Sequence, residues 1–233
     1  MNICVIPARG GSKRIPRKNI RSFRGMPLIA WSIKAAQTSN CFSQILVSTD
    51  DNEIAEVARS FGADVPFVRP NDLSGDTVGT HPVMAHALEW MQSKGINCDN
   101  LCCLYATAPF VRAEDLRIAE RQLESSRSGI YVFAATSFPS SIQRAIKIGK
   151  DGYSSMFEPK CYTSRSQDLQ EAYHDAGQFY WAATSTWSNV ANIFESARPL
   201  ILPRWRVQDI DTEEDWHRAE LMHQLLENII YDH

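Results

Sequence analysis

The chain has 233 residues, 44% hydrophobic and 22% charged, with a formal net charge of −3, the make-up of a globular protein that buries a sizeable core in one principal domain, here taken as 1–233. No apolar run approaches the roughly 20 residues that span a bilayer, and no basic stretch followed by an apolar signal core opens the chain, so no membrane partner and a cytoplasmic location are expected. The 24 Lys and Arg are outnumbered by 27 Asp and Glu, which argues against a general nucleic-acid binder.

Ile3, Cys4, Val5 and Ile6 form a short apolar run ended by Pro7, the pattern of a strand covered on both faces. The loop that follows carries Arg9, Lys13, Arg14, Arg17, Lys18 and Arg21. Gly10 and Gly11 permit a tight turn that presents N–H groups, and Ser12 adds a hydroxyl, so the loop is suited to phosphate. Neither G-x-x-x-x-G-K-[ST] nor G-x-G-x-x-G is present, so side-chain cations must do more of the binding. No acid occurs before Asp50: residues 1–49 hold eight Lys and Arg without local partners, while the remainder holds 16 against 27 acids. That asymmetry is what a polyanion site requires.

Pro27 opens a helix through about Ser39, Gln44 to Ser48 reads as the second strand, and Ile54, Val57, Ala58 and Phe61 stripe a second helix stopped by Gly62. This β-α-β-α order implies a parallel sheet with helices on both faces. A further strand is expected at Asp64 to Val68, then a polar loop from Arg69 to Thr77 over the carboxyl ends of the strands, where open α/β sheets bind ligands. Thr80 suits the N-cap of a helix reaching Lys94, with Gly95 ending it. His81 and His86 read as helix-surface or satisfied polar residues. Asn100 to Tyr105 is a buried strand, Asp115 to Ser128 a helix, and Ile130 to Thr136 another strand.

From Phe138 the rhythm changes. Residues 144–148 read as a strand, Gly149 to Gly152 as a hairpin turn, and 154–176 lack regular periodicity, so about 138–176 is an insertion outside the main sheet. In the strand after Asp175, alternation puts Gln178, Tyr180 and Ala182 on one face and Phe179 and Trp181 on the other. Near the C-terminus, Thr212 and Asp215 fit a capping box before a helix with Trp216, Ala219, Met222, Leu226 and Ile229 inward. Asp209 and Asp211 lie before that cap, and a two-residue spacing in extended chain directs both carboxylates to one side. Two hard oxygen ligands suit Mg²⁺ on a nucleotide, with solvated acids the alternative. The six cysteines form no C-x-x-C pair and read as buried reduced thiols.

IPARGGSKRIPRKNI, residues 6–20, resembles the N-terminal signature of the CMP-sialic acid synthetase family, cytidylyltransferases that activate nine-carbon sugar acids. RPxxLSxDxxxT, completed by Thr80, and DID at 209–211 are similar to two further motifs of that family, so the resemblance spans nearly the whole chain. It implies a Rossmann-like, mostly parallel α/β sheet with helices on both faces plus a protruding arm that forms a homodimer. It implies that CTP is held by Arg9, Gly10, Gly11, Ser12, Lys13, Asn19, Arg69, Asp76, Thr77 and Thr80. Arg9, Lys13, Lys18, Asp209 and Asp211 would carry the chemistry, the two Asp through Mg²⁺; no side-chain base is evident.

The sugar-acid contacts implied by resemblance are Tyr105, Thr107, Arg144, Arg165, Ser166, Gln167, Gln178 and Tyr180. Here the chain departs from the sialic-acid pattern. Tyr105 stands where a Gln is usual in LQxTSPxR, Ser166 replaces an Arg in RRQD, and DAGQFYW stands for NGAIY. The pocket is thus more aromatic and has one cation fewer, which suits a less polar sugar, and HDAGQFYW is similar to the branch that uses pseudaminic acid. N-acetylneuraminic and legionaminic acid are the alternative acceptors. A glycosyltransferase and a non-catalytic nucleotide-binding regulator are the rival classes, the first disfavoured by the late position of the D-x-D and the second by retention of the metal pair.

Overall fold

The computed structural model describes residues 1–190, 192–195 and 197–231, with side chains through residue 226 at the C-terminal end. The order is β1 (Asn2–Pro7), β2 (Ser22–Phe23), β3 (Met26–Pro27), α1 (Leu28–Ser39), β4 (Gln44–Ser48), α2 (Asn52–Ser60), α3 (Thr80–Ser93), β5 (Asn100–Leu104), α4 (Ala113–Glu124), β6 (Tyr131–Ser137), β7 (Ile146–Ile148), β8 (Ser154–Met156), β9 (Tyr173–Ala183), α5 (Thr184–Asn189), β10 (Arg198–Ile201) and α6 (Glu213–Tyr231).

β1 shows why a central sheet forms. Ile3, Cys4, Val5 and Ile6 are all fully buried, and alternation sends Cys4 and Ile6 to one face and Ile3 and Val5 to the other. A strand so apolar on both sides is stable only between two layers. Ile29 and Ile33 of α1, Ile54 and Ala58 of α2 and Leu116 of α4 cover one face. Met84, Leu88 and Met91 of α3, with Trp187 of α5, cover the other. The six strands run β10-β6-β9-β5-β1-β4. β9 is antiparallel to both β5 and β6, whereas the β1–β4, β1–β5 and β6–β10 pairs are parallel.

Four expectations are corrected. Residues 64–68 make only two isolated bridges, Leu46 with Asp64 and Thr49 with Val68. Pro66 lacks a donor for a ladder, and Val68 is 71% exposed. Gly79, not Thr80, caps α3, since Thr80 is the helix's first residue and its hydroxyl turns to Tyr105. α4 stops at Glu124 rather than Ser128. The insertion is shorter than 138–176: Phe138 N–H donates to the Ala172 carbonyl at 3.0 Å, and β9 starts at Tyr173. Within it, β7 and β8 pair as a hairpin around the expected turn, with Gly152 at φ 83°.

β9 also carries an irregularity. Tyr180 pairs with Phe133, yet Ala135, two residues on, pairs with Asp175, five residues back. Three extra residues are therefore looped out on β9, with Gly177 at φ +61°, a conformation that favours glycine. Beyond the break the alternation holds, with Tyr180 and Ala182 in one core layer and Phe179 and Trp181 in the other.

A third apolar cluster lies at one end of the sheet and brings distant chain segments together. Ile15 of the basic loop and Ile210 between the two aspartates are buried in the same group as Phe23, Leu28, Trp216 and Ala219. Burying two such side chains stabilises the arrangement by about 1.5–3 kcal/mol each. Thr212 and Asp215 form the expected capping box at the start of α6, with Thr212 N–H donating to Asp215 at 2.8 Å and Asp215 N–H to the Thr212 hydroxyl at 3.2 Å. The side chain of Ile229 lies outside the described residues. All six cysteines are free thiols; Cys4, Cys102 and Cys103 are buried and the others half-buried.

Candidate active site

A cavity of about 250 Å³ opens where the loop after β1 meets the ends of β5 and the start of α3. Arg9, Ser12, Lys13, Arg14, Lys18, Asn19, Arg69, Thr80, Tyr105, Thr107 and Asp211 line it, with Pro7, Ile15, Val78, Gly79, Val83 and Ala106. Most expected nucleotide contacts thus converge. Asn19 is buried and donates to the Arg9 carbonyl at 2.9 Å, tying the loop back on itself. Arg69, 4% exposed, donates to the Ser48 carbonyl at 2.8 Å, and burial lowers its pKa.

The cations are not free, as the sequence suggested, but bonded to acids from elsewhere in the chain. Arg9 and Lys13 lie 2.8 and 2.5 Å from Asp76, which holds that carboxyl below its ordinary pKa, Lys13 most strongly. Arg17, at φ 56°, makes a two-pronged pair with Asp51, which also accepts the Ile54 N–H at 3.0 Å and so caps α2. Arg14 lies 2.8 Å from Asp211, and Lys18 donates to the Ile210 carbonyl at 2.6 Å. These pairs set a lattice of alternating charge around the cavity mouth.

Gly10 plays a different part from the one expected. Its N–H donates to Asp50 at 2.9 Å and is thereby satisfied inside the protein, and a Cβ there would come within 2.7 Å of Asp51. It is needed for close approach of loop to strand end rather than for anion contact. Gly11, Thr77 and Asp209 also lie outside the cavity lining, and Asp76 reaches it only through its ion pairs.

Asp209 and Asp211 flank buried Ile210 in an extended segment outside the sheet. The protein around Asp209 desolvates its carboxyl although the residue is open at the mouth, and this, with the like charge of Asp211, raises its pKa. Among the described residues no group of three or more His, Cys, Asp and Glu is close enough to hold a metal. The chain offers two hard oxygen ligands, and a divalent cation there takes its others from phosphate and water, which is how Mg²⁺ binds nucleotides. The donor set fits that ion.

The expected sugar contacts divide. Tyr105 and Thr107 line the cavity. Tyr105 and Thr80 also line a neighbouring open hollow with His81, Asp175, Tyr180, Asn192 and Phe194. Burial pushes the Tyr105 phenol up to about 12. Gln178 is a correction: it is 3% exposed and donates to the Arg206 carbonyl at 2.9 Å, so it braces β9 and reaches neither hollow. Arg144, Arg165, Ser166 and Gln167 are exposed on the insertion, where Arg144 lies 3.5 Å from Ser166, and none lines either hollow. Sequence reading missed Arg14 as a site residue, although it stood in the basic run, and missed Asp175, whose place depends on the irregularity in β9.

A cation-lined cavity at the carboxyl ends of a mostly parallel sheet, with Asp211 in its lining, belongs to an α/β protein built to receive an anionic ligand such as a nucleotide phosphate. The profile of the family described as "Cytidylyltransferase" matches residues 3–181, and the chain belongs to that family. It is 45% identical over 225 residues to a pseudaminic acid cytidylyltransferase of Campylobacter jejuni, covering 96% of this chain and 97% of the relative. It is 34% identical over 231 residues to a CMP-N,N'-diacetyllegionaminic acid synthase of Legionella pneumophila, covering 96% of each. Its fold matches a CMP:2-keto-3-deoxy-manno-octonic acid synthetase solved with CTP, at a TM-score of 0.70 and 17% identity over 96% of this chain and 98% of that one.

Proposed function

We propose that the protein joins CTP to pseudaminic acid, giving CMP-pseudaminic acid and pyrophosphate. The observation that carries this reading is the meeting of the basic loop and the Asp209–Asp211 segment at one cavity mouth, in a chain 45% identical to a relative of that name along almost its full length. The anomeric oxygen attacks the α-phosphorus, the bond to the β-phosphate oxygen breaks, and the hydroxyl proton passes to solvent, no side-chain base being assigned. Charge grows on the pyrophosphate and the equatorial oxygens. Arg9, Lys13 and Lys18 stabilise it, because fixed cations act most strongly where charge develops. Mg²⁺ held by Asp209 and Asp211 would neutralise phosphate oxygens. Asp76 must release Arg9 and Lys13 as the triphosphate enters.

The acceptor lies in the hollow beyond Tyr105, whose phenol and the Tyr180 ring give the aromatic wall that a deoxygenated sugar tip fits. In this reading the enzyme is a homodimer in the cytoplasm, where its CTP is found. Support for the dimer comes from the insertion: Ile146 is 58%, Ile148 66%, Phe157 63% and Tyr162 71% exposed, an apolar surface unusual for a monomer. A partner's insertion would bring Arg144, Arg165, Ser166 and Gln167 to the sugar. Purified protein given CTP, Mg²⁺ and pseudaminic, legionaminic or N-acetylneuraminic acid tests the acceptor. The highest kcat/KM belongs to pseudaminic acid in this account, and a preference for N-acetylneuraminic acid overturns that choice.

A further inference from the structure

The segment that delivers Asp209 is clamped before it reaches the cavity mouth. After β10 the chain turns at Arg204–Arg206, with the Arg206 N–H donating to the Pro203 carbonyl at 2.9 Å. The Arg206 carbonyl accepts from Gln178 of β9, and its guanidinium donates to Asp115 of α4. Arg206 is 7% and Asp115 5% exposed, so the ion pair is buried. The Asp115 oxygen that takes Arg206 also accepts the Arg112 N–H at 3.0 Å and so caps α4, while the Arg112 guanidinium lies 6.0 Å from the centre of the Trp205 ring. The chain that enters α4 is the one that puts Tyr105 and Thr107 in the cavity wall. One buried pair thus ties that wall to the segment carrying Asp209 and Asp211.

Stability alone does not call for such a pair. Taking two charges out of water costs about as much as their attraction returns, and apolar side chains of similar volume commonly pack as well or better. The Arg206 Nε is in addition buried without a partner. What a charged pair supplies and an apolar one does not is direction, since a guanidinium meets a carboxylate in few orientations. Asp209 follows Arg206 by three residues, in extended chain outside the sheet. We propose, resting on the reading of Asp209 and Asp211 as metal ligands, that Arg206, held by Asp115, is a positioning residue that fixes how Asp209 approaches a divalent cation on the bound nucleotide.

Arg206→Met with Asp115→Asn removes both charges and leaves an oxygen to cap α4, so this double variant is expected to melt within about 3 °C of wild type. The probe is Mn²⁺, titrated into protein saturated with CTP and followed by electron paramagnetic resonance against CTP alone. Its affinity is expected to fall about tenfold in the double variant and about threefold in Arg206→Lys, which keeps the charge and loses the fork. CTP binding without metal should stay within about twofold of wild type. Tyr131→Phe deletes a buried hydrogen bond to the Val190 carbonyl on the face of the sheet opposite α4, and as the control for lost stability it should leave Mn²⁺ affinity unchanged. Wild-type Mn²⁺ affinity in both Arg206 variants, an equal loss in Tyr131→Phe, or an equal loss of metal-free CTP binding overturns the proposal. If the double variant fails to fold, Arg206→Lys decides it alone. Mn²⁺ affinity indifferent to Asp209→Asn removes the metal reading and this role with it, whereas affinity that needs Asp209 but ignores Arg206 overturns only the positioning.

Discussion

Lys18 and Asp211, 193 residues apart in sequence, meet at the cavity mouth with 3.3 Å between ammonium and carboxylate. The buried contact of Ile15 with the cluster that holds Ile210 makes this meeting a consequence of packing. Asp209→Asn and Asp211→Asn are each expected to lower CTP turnover about a hundredfold at limiting Mg²⁺, because an amide is a far poorer ligand than a carboxylate. Unchanged melting temperatures would accompany the loss. Near wild-type turnover in either variant would remove the metal from the account.

Asp76 holds the same two cations that the proposed mechanism gives to phosphate. Asp76→Asn is therefore expected to tighten binding of inorganic pyrophosphate about twofold to fivefold at low salt, the modest size reflecting an exposed pair. Calorimetry at two salt concentrations measures it. Weaker binding than wild type would show that Asp76 is not a competitor for the anion.

Asp51 ties the loop to α2 through Arg17 and its capping bond. Arg17 holds its carboxyl below the ordinary pKa, so the stabilisation is fully present above the unfolded carboxyl's pKa of about 3.9 and is lost as pH falls through the lower native value. Asp51→Ala should lower the melting temperature by about 2–6 °C at pH 7, from a cap worth about 1–2 kcal/mol. The difference should shrink towards pH 3. A gap that stays constant with pH would mean that the charge contributes nothing.

Five of the six strands of the central sheet, five of the six described α-helices and the hairpin turn of the insertion were legible because each depends on local periodicity or punctuation, whereas β10 and the short α5 gave no such signal. Ile3 to Ile6 and the stripe of α2 speak for themselves. What sequence did not show depends on contacts made at long range. The absence of acids before Asp50 read as a set of unpaired cations, but folding brings Asp51, Asp76, Asp211 and Glu213 to them. Gln178 was expected at the sugar by resemblance, but it is buried and donates to the Arg206 carbonyl, a partner 28 residues away that alternation along β9 does not reveal. Asp175 carried no signal, since its contact with Tyr180 exists only in the looped-out strand.

The insertion offers a test of assembly. Ile146→Asp with Ile148→Asp puts two charges on the exposed face of β7, and sedimentation should change from dimer to monomer while the melting profile of the main domain persists. Activity should fall with dimer content. A wild-type protein that sediments as a monomer at micromolar concentration contradicts the dimer.

The most direct measurement of the central claim is pyrophosphate release from CTP with pseudaminic acid present and absent, in wild type, Arg9→Ala, Lys13→Ala and Lys34→Ala. Lys34 is exposed on α1 outside the cavity and serves as the surface-charge control. The account predicts release that depends on the sugar acid, falls steeply for Arg9→Ala and Lys13→Ala, and is nearly unchanged for Lys34→Ala. Release without the acid, or equal, small and salt-sensitive losses in all three variants, would contradict it.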